Sequence, residues 1–361
     1  MRIYFTITND LTYDQRMIRI ATSLSKAGYQ PILVGRKLRN SNELISQPFV
    51  HHRIKCFFNK GKMFYAEFNI RLFFYLLIKK MDAVCAIDLD TILPCYFVSR
   101  LRNIKRIYDA HELFCEMKEI VSRPVIYKVW KQIEKFTVPK FKNGYTISSA
   151  IADEFEKMYG VNYEIIRNIS LNKNISIPDK KEKYIIYQGA VNEGRSFESI
   201  IPAMKHVDAR LIICGDGNFM KQAKQLVIKN NLQEKIIFKG SVPPAQLESY
   251  TLYAWAGINL VDNKGLNSYF SLANRFFDYI HAGLPQLCAD IPSYSEINSR
   301  FEVAILIPGI SPEDIARHLN ILLKDEQLYH RLQQNCLKAK EVYNWQLEEI
   351  KLITFYKALF G

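Results

Sequence analysis

RIYFTITNDLTYDQRMIRIATSLSKAGYQPILVG, residues 2–35, reads as a strand, a helix and a second strand. Residues 2–8 form the first strand, and 13–27 an amphipathic helix that Gly28 stops. The second strand covers 31–35. This is a βαβ opening, and in sheets of that kind ligands gather beyond the C-terminal ends of the strands. Asn9 and Asp10 fall at such an end.

The alternation continues outward from that unit. Strands are predicted at 83–87, 106–109 and 144–148, with helices near 92–102, 122–138 and 149–159. A polar stretch rich in Lys, Asn and Pro, 172–183, interrupts the pattern. A second series then starts at 184–188 and runs through 211–214, 235–238, 257–260 and 286–288. A chain of 361 residues exceeds what one core usually supports. The expected architecture is α/β: two doubly wound Rossmann-like domains facing across a cleft, residues 1–172 and 183–344. The tail from 312 is helical by period, and its aromatic last segment, 345–361, is expected to return to the first domain.

Composition narrows the function classes. The first 180 residues carry 29 basic and 17 acidic side chains, the remaining 181 carry 20 and 19, so nearly all of the +13 net charge belongs to the first half. That half is expected to meet an anionic surface or ligand. No recognised nucleic-acid motif accompanies the basic residues, so no nucleic-acid partner is expected. The longest apolar run, 72–78, is too short to span a bilayer, and the start of the chain has no signal-peptide pattern. Seven scattered cysteines with no metal-ligand spacing fit a reducing cytoplasm and make a disulfide framework or structural zinc unexpected.

A second stretch, KGLNSYFSLANRFFDYIHAGLP at 264–285, carries the chemistry. Read as one helix, it puts Ser271, Asn274, Arg275 and Asp278 on a polar stripe opposite Leu272, Phe276, Phe277 and Ile280. Ser271 suits an N-cap, and Gly283 with Pro285 beyond suits a C-terminal stop. A helix start beside an arginine attracts phosphate, and Asp278 one turn on suits a sugar diol. Phosphate beside ribose indicates a nucleotide. The alternative is a polar face that merely meets solvent.

Four more motifs each have a functional and a plain structural reading. In YIIYQGAVNEGRSFESI, 184–200, Gly189 ends a strand and Arg195 stands at the start of a helical stretch, where it can clamp a diphosphate or simply be exposed. In LIICGDGNFM, 211–220, Gly215 and Gly217 follow a strand, but Met220 replaces the third glycine of a dinucleotide fingerprint. What remains is a close approach by a nucleotide, or an ordinary turn. Gly240 follows another strand, where main-chain groups can read a base edge. In RIYDAHELF, 106–114, His111 lies past a strand end, a position open to a catalytic or a structural role. Residues 51–80 interleave nine Lys, Arg and His with aromatic and aliphatic residues, as in a segment at a membrane interface or in a buried helix flanked by solvated lysines.

Taken together, the chain resembles the retaining glycosyltransferases of family four, whose two-domain fold is called GT-B, and within them a bacterial branch of surface-polysaccharide enzymes. The resemblance covers nearly the whole chain. It rests on NDLTYDQR at 9–16, DLDTILP at 88–94, YDAHELF at 108–114, GAVNEGR at 189–195 and GLNSYFSLANRFFDYIHAGLP at 265–285. By position it implies that His111 contacts the donor hexose, Arg195 the phosphates and Asp278 the ribose. The family's first acidic residue of that pair falls at Phe270, and a second phosphate-binding arginine falls at Ala190. Arg275 and Lys264 are the expected replacements.

The resemblance further implies retaining transfer of a sugar from a nucleotide diphosphate sugar, used as co-substrate with no other cofactor and no metal. The acceptor is expected to be a glycan, or a glycan on a polyprenyl diphosphate. The expected location is cytoplasmic, peripheral at an anionic inner membrane face. Two other readings stand beside it: a non-catalytic nucleotide-sugar-binding subunit, and a nucleotide-sugar epimerase.

Overall fold

The computed structural model describes residues 1–12, 14–174, 176–178, 181–262 and 265–361, which form two compact units. The first comprises Met1–Asn168 and Glu348–Gly361, the second Ile169–Leu347.

Within the first unit the chain runs β1 (Arg2–Thr6), α1 (Gln15–Lys26), β2 (Gln30–Lys37), β3 (Val50–Lys55), α2 (Gly61–Leu77), β4 (Ala83–Ile87) and α3 (Ile92–Arg102). It continues through β5 (Lys105–Asp109), α4 (Lys118–Val121), α5 (Pro124–Thr137), β6 (Gly144–Thr146), α6 (Ser149–Tyr159) and β7 (Glu164–Ile165). All seven strands are parallel, in the order β3-β2-β1-β4-β5-β6-β7. The order reverses between β1 and β4, which makes their C-terminal ends the place for a ligand.

Local chemistry accounts for these elements. Asp14 caps α1 by accepting the Met17 amide, and Met17, Ile20, Ala21 and Leu24 bury one face of that helix. In α2, Phe64, Phe68, Leu72 and Leu76 recur every fourth residue and pack inward. Its outward stripe, Met63, Ile70, Phe74 and Ile78, is also apolar, so the helix is apolar on both sides. The last segment of the chain returns to this unit, where Tyr356 is fully buried beside Phe5, Tyr29 and Tyr145.

In the second unit come β8 (Tyr184–Gln188), α7 (Phe197–Ala203), β9 (Arg210–Cys214), α8 (Met220–Lys229), β10 (Ile236–Gly240), α9 (Pro244–Tyr253) and β11 (Ala256–Asn259). They are followed by α10 (Leu266–Tyr269), α11 (Asn274–His281), β12 (Gln286–Ala289), α12 (Pro292–Phe301), β13 (Ala304–Ile307), α13 (Pro312–Lys324), α14 (Glu326–Val342) and α15 (Trp345–Phe360), the last continuing into the first unit. The sheet is again parallel, β10-β9-β8-β11-β12-β13, and reverses between β8 and β11.

Three expectations change. Strands β3, β7 and β13 were not legible in the sequence, and residues 51–55 are an edge strand rather than part of one interfacial segment. The stretch 264–285 is not one helix: α10 ends at Tyr269 and α11 begins at Asn274. Ser271 is not the N-cap, which is Ala273, because the Ser271 hydroxyl donates back to the Ser268 carbonyl and completes the end of α10.

Unit one is tied across its sheet by an ion pair. Arg16 of α1 donates to both carboxylate oxygens of Asp109 at the end of β5, at 2.6 and 3.2 Å, and both residues are buried. Replacing Arg16 by Met strands a buried carboxylate and is expected to cost about 3–5 kcal/mol in chemical unfolding. The double variant Arg16→Met/Asp109→Leu is expected to recover most of that loss, since neither partner is then left as an unpaired buried charge.

Candidate active site

At the end of β8 the second unit gathers one cation and one carboxylate. Arg275, in the first turn of α11, is turned inward and buried. Its guanidinium stacks 4.4 Å from the centre of the Tyr187 ring, and its Nη1 donates to the Gln188 carbonyl at 3.0 Å. It lies along Gly189, where an added Cβ would be 3.6 Å from Nη1. Asp278, one turn later and half-buried, accepts from Ser170 Oγ and Gln188 Nε2, each at 2.9 Å. Asn274 is exposed and Ser271 half-buried, so the expected polar stripe is divided between interior and surface.

The glycine loops close around the same strand end. A Cβ on Gly215, which has φ +154°, would sit 1.8 Å from the Gly189 oxygen, and one on Gly217 would sit 2.3 Å from Asn192 Oδ1. Both positions need glycine so that the loop after β9 can lie against the loop after β8. A tight backbone packing thus explains residues that sequence alone associated with a ligand's approach. The loops are also stitched by hydrogen bonds: Val191 N to Asp216 O, Phe219 N to Val191 O, and Gly215 N to Gly240 O. Arg195 follows in this loop, half-buried, two residues before α7. Lys264 lies outside the described residues.

In the first unit, Asn9 and Asp10 build their own loop. Asn9 Oδ1 accepts the Leu11 amide at 2.8 Å and its Nδ2 donates to Asp14 at 2.6 Å. Asp10 accepts from Thr12 N and Ser41 Oγ, and its carbonyl holds Arg53 Nε at 2.6 Å. These bonds shape the mouth of β1.

His111 stands beside carboxylates that sequence reasoning did not connect with it. Its Nδ1 is 3.2 Å from Asp88 Oδ1, at ion-pair distance but without hydrogen-bond geometry. Asp88 follows β4 with φ 58° and ψ 176°, a region that side chains seldom adopt. Burial pushes its carboxyl well above the usual range, and the charges of Glu112, Asp90 and Asp109 push the same way. Asp90 accepts Thr8 Oγ1 at 2.5 Å, and burial raises its pKa to about 7 against the lowering effect of that bond. The sequence signal for this cluster is DLDTILP at 88–94, which carried the family resemblance but gave its aspartates no role beside His111.

Residues 168–339 match the family described as Glycosyl transferases group 1. Among curated proteins, the O-antigen chain mannosyltransferase RfbU of Salmonella typhimurium is 26% identical over 171 residues, 45% of this chain and 46% of that protein. The match therefore spans about half the length of that relative. Among solved structures, sucrose-phosphate synthase from Thermosynechococcus elongatus superposes with a TM-score of 0.85 at 14% identity, covering 100% of this chain and 99% of its own. Anabaena Alr3699/HepE, in complex with UDP and glucose, gives a TM-score of 0.75 at 10% identity and 99% coverage of both chains. These superpositions establish the GT-B fold.

The Asp90 carboxyl sets a pH dependence. An unfolded aspartate titrates near 3.9, and the folded one at about 7. The native state thus holds the extra proton between those values. The carboxyl's stabilising contribution is complete below about pH 4 and is lost as pH rises through 7. Asp90→Asn does not titrate, so its stability relative to the parent protein is expected to improve by about 1–3 kcal/mol between pH 5 and pH 8. Urea midpoints at the two pH values check this; an equal or smaller advantage at pH 8 counts against it.

Proposed function

We propose, from the match of residues 168–339 to the glycosyl transferases group 1, that the chain moves a sugar from a nucleotide diphosphate sugar to a glycan acceptor in surface-polysaccharide assembly. The observation that carries the proposal is the pairing of Arg275 and Asp278 at the end of β8. A guanidinium suits the diphosphate, and a carboxylate one helical turn away suits the ribose hydroxyls. The named activity of RfbU on O-antigen and the UDP and glucose held by HepE support the same reading.

In this reading the bond from the anomeric carbon to the diphosphate oxygen breaks, and negative charge grows on the leaving phosphates. Arg275 and Arg195 stabilise that charge without a metal ion, and the anomeric configuration is retained. Ala190 offers no cation at the loop after β8, and the Arg275 guanidinium comes to that loop from α11 instead. His111 serves the transferred hexose, held next to Asp88. The loss of a carboxylate at Phe270 favours the second reading, a nucleotide-sugar-binding subunit without turnover.

Thermal unfolding with uridine, guanosine and cytidine diphosphates, with magnesium or with chelator, tests the donor site, because a ligand of the folded state raises its stability. One diphosphate is expected to stabilise the protein with or without the metal, and Arg195→Ala, Arg275→Ala and Asp278→Ala are expected to abolish the shift. His111→Ala is expected to keep the shift and to lose sugar transfer by at least 100-fold. Stabilisation without transfer by the parent protein points to the binding subunit. No stabilisation by any diphosphate rejects the donor site.

The acceptor is proposed to be a glycan on a polyprenyl diphosphate at the cytoplasmic face of an anionic membrane. Among the described residues no helix is long and apolar enough to cross a membrane. The outward stripe of α2 is apolar, with Phe74 62% and Ile78 78% exposed, and Lys60, Lys62, Arg71, Lys79 and Lys80 flank it. A helix of that kind can rest in the interface while its cations meet lipid phosphates. Flotation with phosphatidylglycerol vesicles is expected to carry the protein up, and Ile70→Glu/Phe74→Glu to release it. Equal flotation with neutral vesicles, or none with anionic ones, rejects the membrane surface.

A further inference from the structure

Gln188 closes β8, is 4% exposed, and has a partner for every polar atom. Three of those partners belong to α11. Its amide N–H donates to Tyr279 Oη at 3.2 Å, its carbonyl accepts Arg275 Nη1 at 3.0 Å, and its Nε2 donates to Asp278 Oδ2 at 2.9 Å. The fourth partner is Thr251 of α9, whose hydroxyl donates to Gln188 Oε1 at 2.7 Å. A carboxylate only accepts, so the amide nitrogen is the end that faces Asp278, and Thr251 receives the oxygen end.

The two arms of Gln188 have different duties. The main chain addresses Arg275, the residue assigned to the diphosphate, and the side chain addresses Asp278, the residue assigned to the ribose. We infer that Gln188 is a positioning residue for ribose recognition: its side-chain amide, with Ser170 on the other oxygen, holds the Asp278 carboxylate in one orientation for a vicinal diol. This rests on the donor site proposed above.

The physical argument is one of lone pairs and entropy. A carboxylate has about four acceptor positions. Gln188 and Ser170 occupy one on each oxygen, so both oxygens are tied to neutral donors. A half-buried aspartate without those donors is free to turn about its side-chain torsions, and binding a diol must then restrain it. A second shell that restrains it beforehand removes that cost. Neutral donors suit the purpose, because they keep the carboxylate charged without a cation competing for the sugar.

The two arms can be cut separately. Gln188→Met removes the side-chain amide and keeps the main-chain carbonyl that Arg275 uses, while Arg275→Ala does the reverse. Calorimetry with UDP, GDP and their 2′-deoxy forms supplies a readout that loss of packing does not mimic. The parent protein is expected to bind one ribonucleotide about tenfold more tightly than its 2′-deoxy form. Gln188→Met is expected to abolish most of that preference while the 2′-deoxy affinity stays within about twofold. Arg275→Ala is expected to weaken both forms alike and keep the ratio.

A Gln188→Met protein that keeps the full ribose preference overturns the inference and leaves the donor site standing. So does one that loses both forms equally while its unfolding temperature is unchanged. Gln188→Glu, which sets a second carboxyl against Asp278, is expected to reduce the preference as well, and more strongly at pH 8 than at pH 6. A parent protein that binds a ribonucleotide and its 2′-deoxy form equally, or neither, overturns the ribose assignment of Asp278 and this inference with it.

Discussion

A guanidinium out of water needs either an anion or a set of acceptors aligned to it, and Arg275 meets, among the described residues, the Gln188 carbonyl and the face of Tyr187. Neither neutralises its charge. The consequence is a cation held at a strand end by partners that leave its charge available to an incoming phosphate. Everything else at that end of the second unit is arranged around it: the glycine at 189 that lets it pass, Asp278 one turn on, and the amide of Gln188 between them.

The backbone has to come very close for this arrangement to exist. Loops after β8 and β9 approach until a single methyl group on Gly215 would meet the Gly189 oxygen at 1.8 Å. Such contact ties the loop that carries Arg195 to its neighbour through main-chain hydrogen bonds, with Asn192 and Asn218 side chains accepting amides across the same gap. The glycines thereby set the shape of the mouth, and the charged residues set its chemistry.

The first unit follows a different electrostatic plan. Most of its surplus charge is positive, yet the ends of β4 and β5 collect Asp88, Asp90, Asp109 and Glu112 around His111. Asp109 is paired with Arg16. Crowded, buried carboxyls hold protons more tightly, and Asp88 adds an unfavourable backbone conformation to that crowding. Strain of this kind persists only where the surrounding structure imposes it. Part of the positive charge, Lys60, Lys62, Arg71, Lys79 and Lys80, flanks α2, where apolar side chains point outward.

Period and punctuation in the sequence determined much of the fold by themselves. The strands at 83–87 and 184–188 and the helices at 92–102 and 149–159 were readable to the residue, because buried parallel strands are short apolar runs and helices carry caps and stops. The edge strands β3 and β7 were not, since their partners lie on one side only and their residues need no full burial. Asp278 and Arg275 were legible as a pair at helical spacing, but the break at 270–273 was not, because Ser271 prefers a hydrogen bond to Ser268 over capping the next helix. Which way each side chain faces was decided only by the tertiary structure. Gln188, Ser170 and Thr251 are separated from Asp278 by up to 108 residues, and a hydrogen bond between such positions has no signature in local sequence; it exists only once parallel strands have brought their ends together.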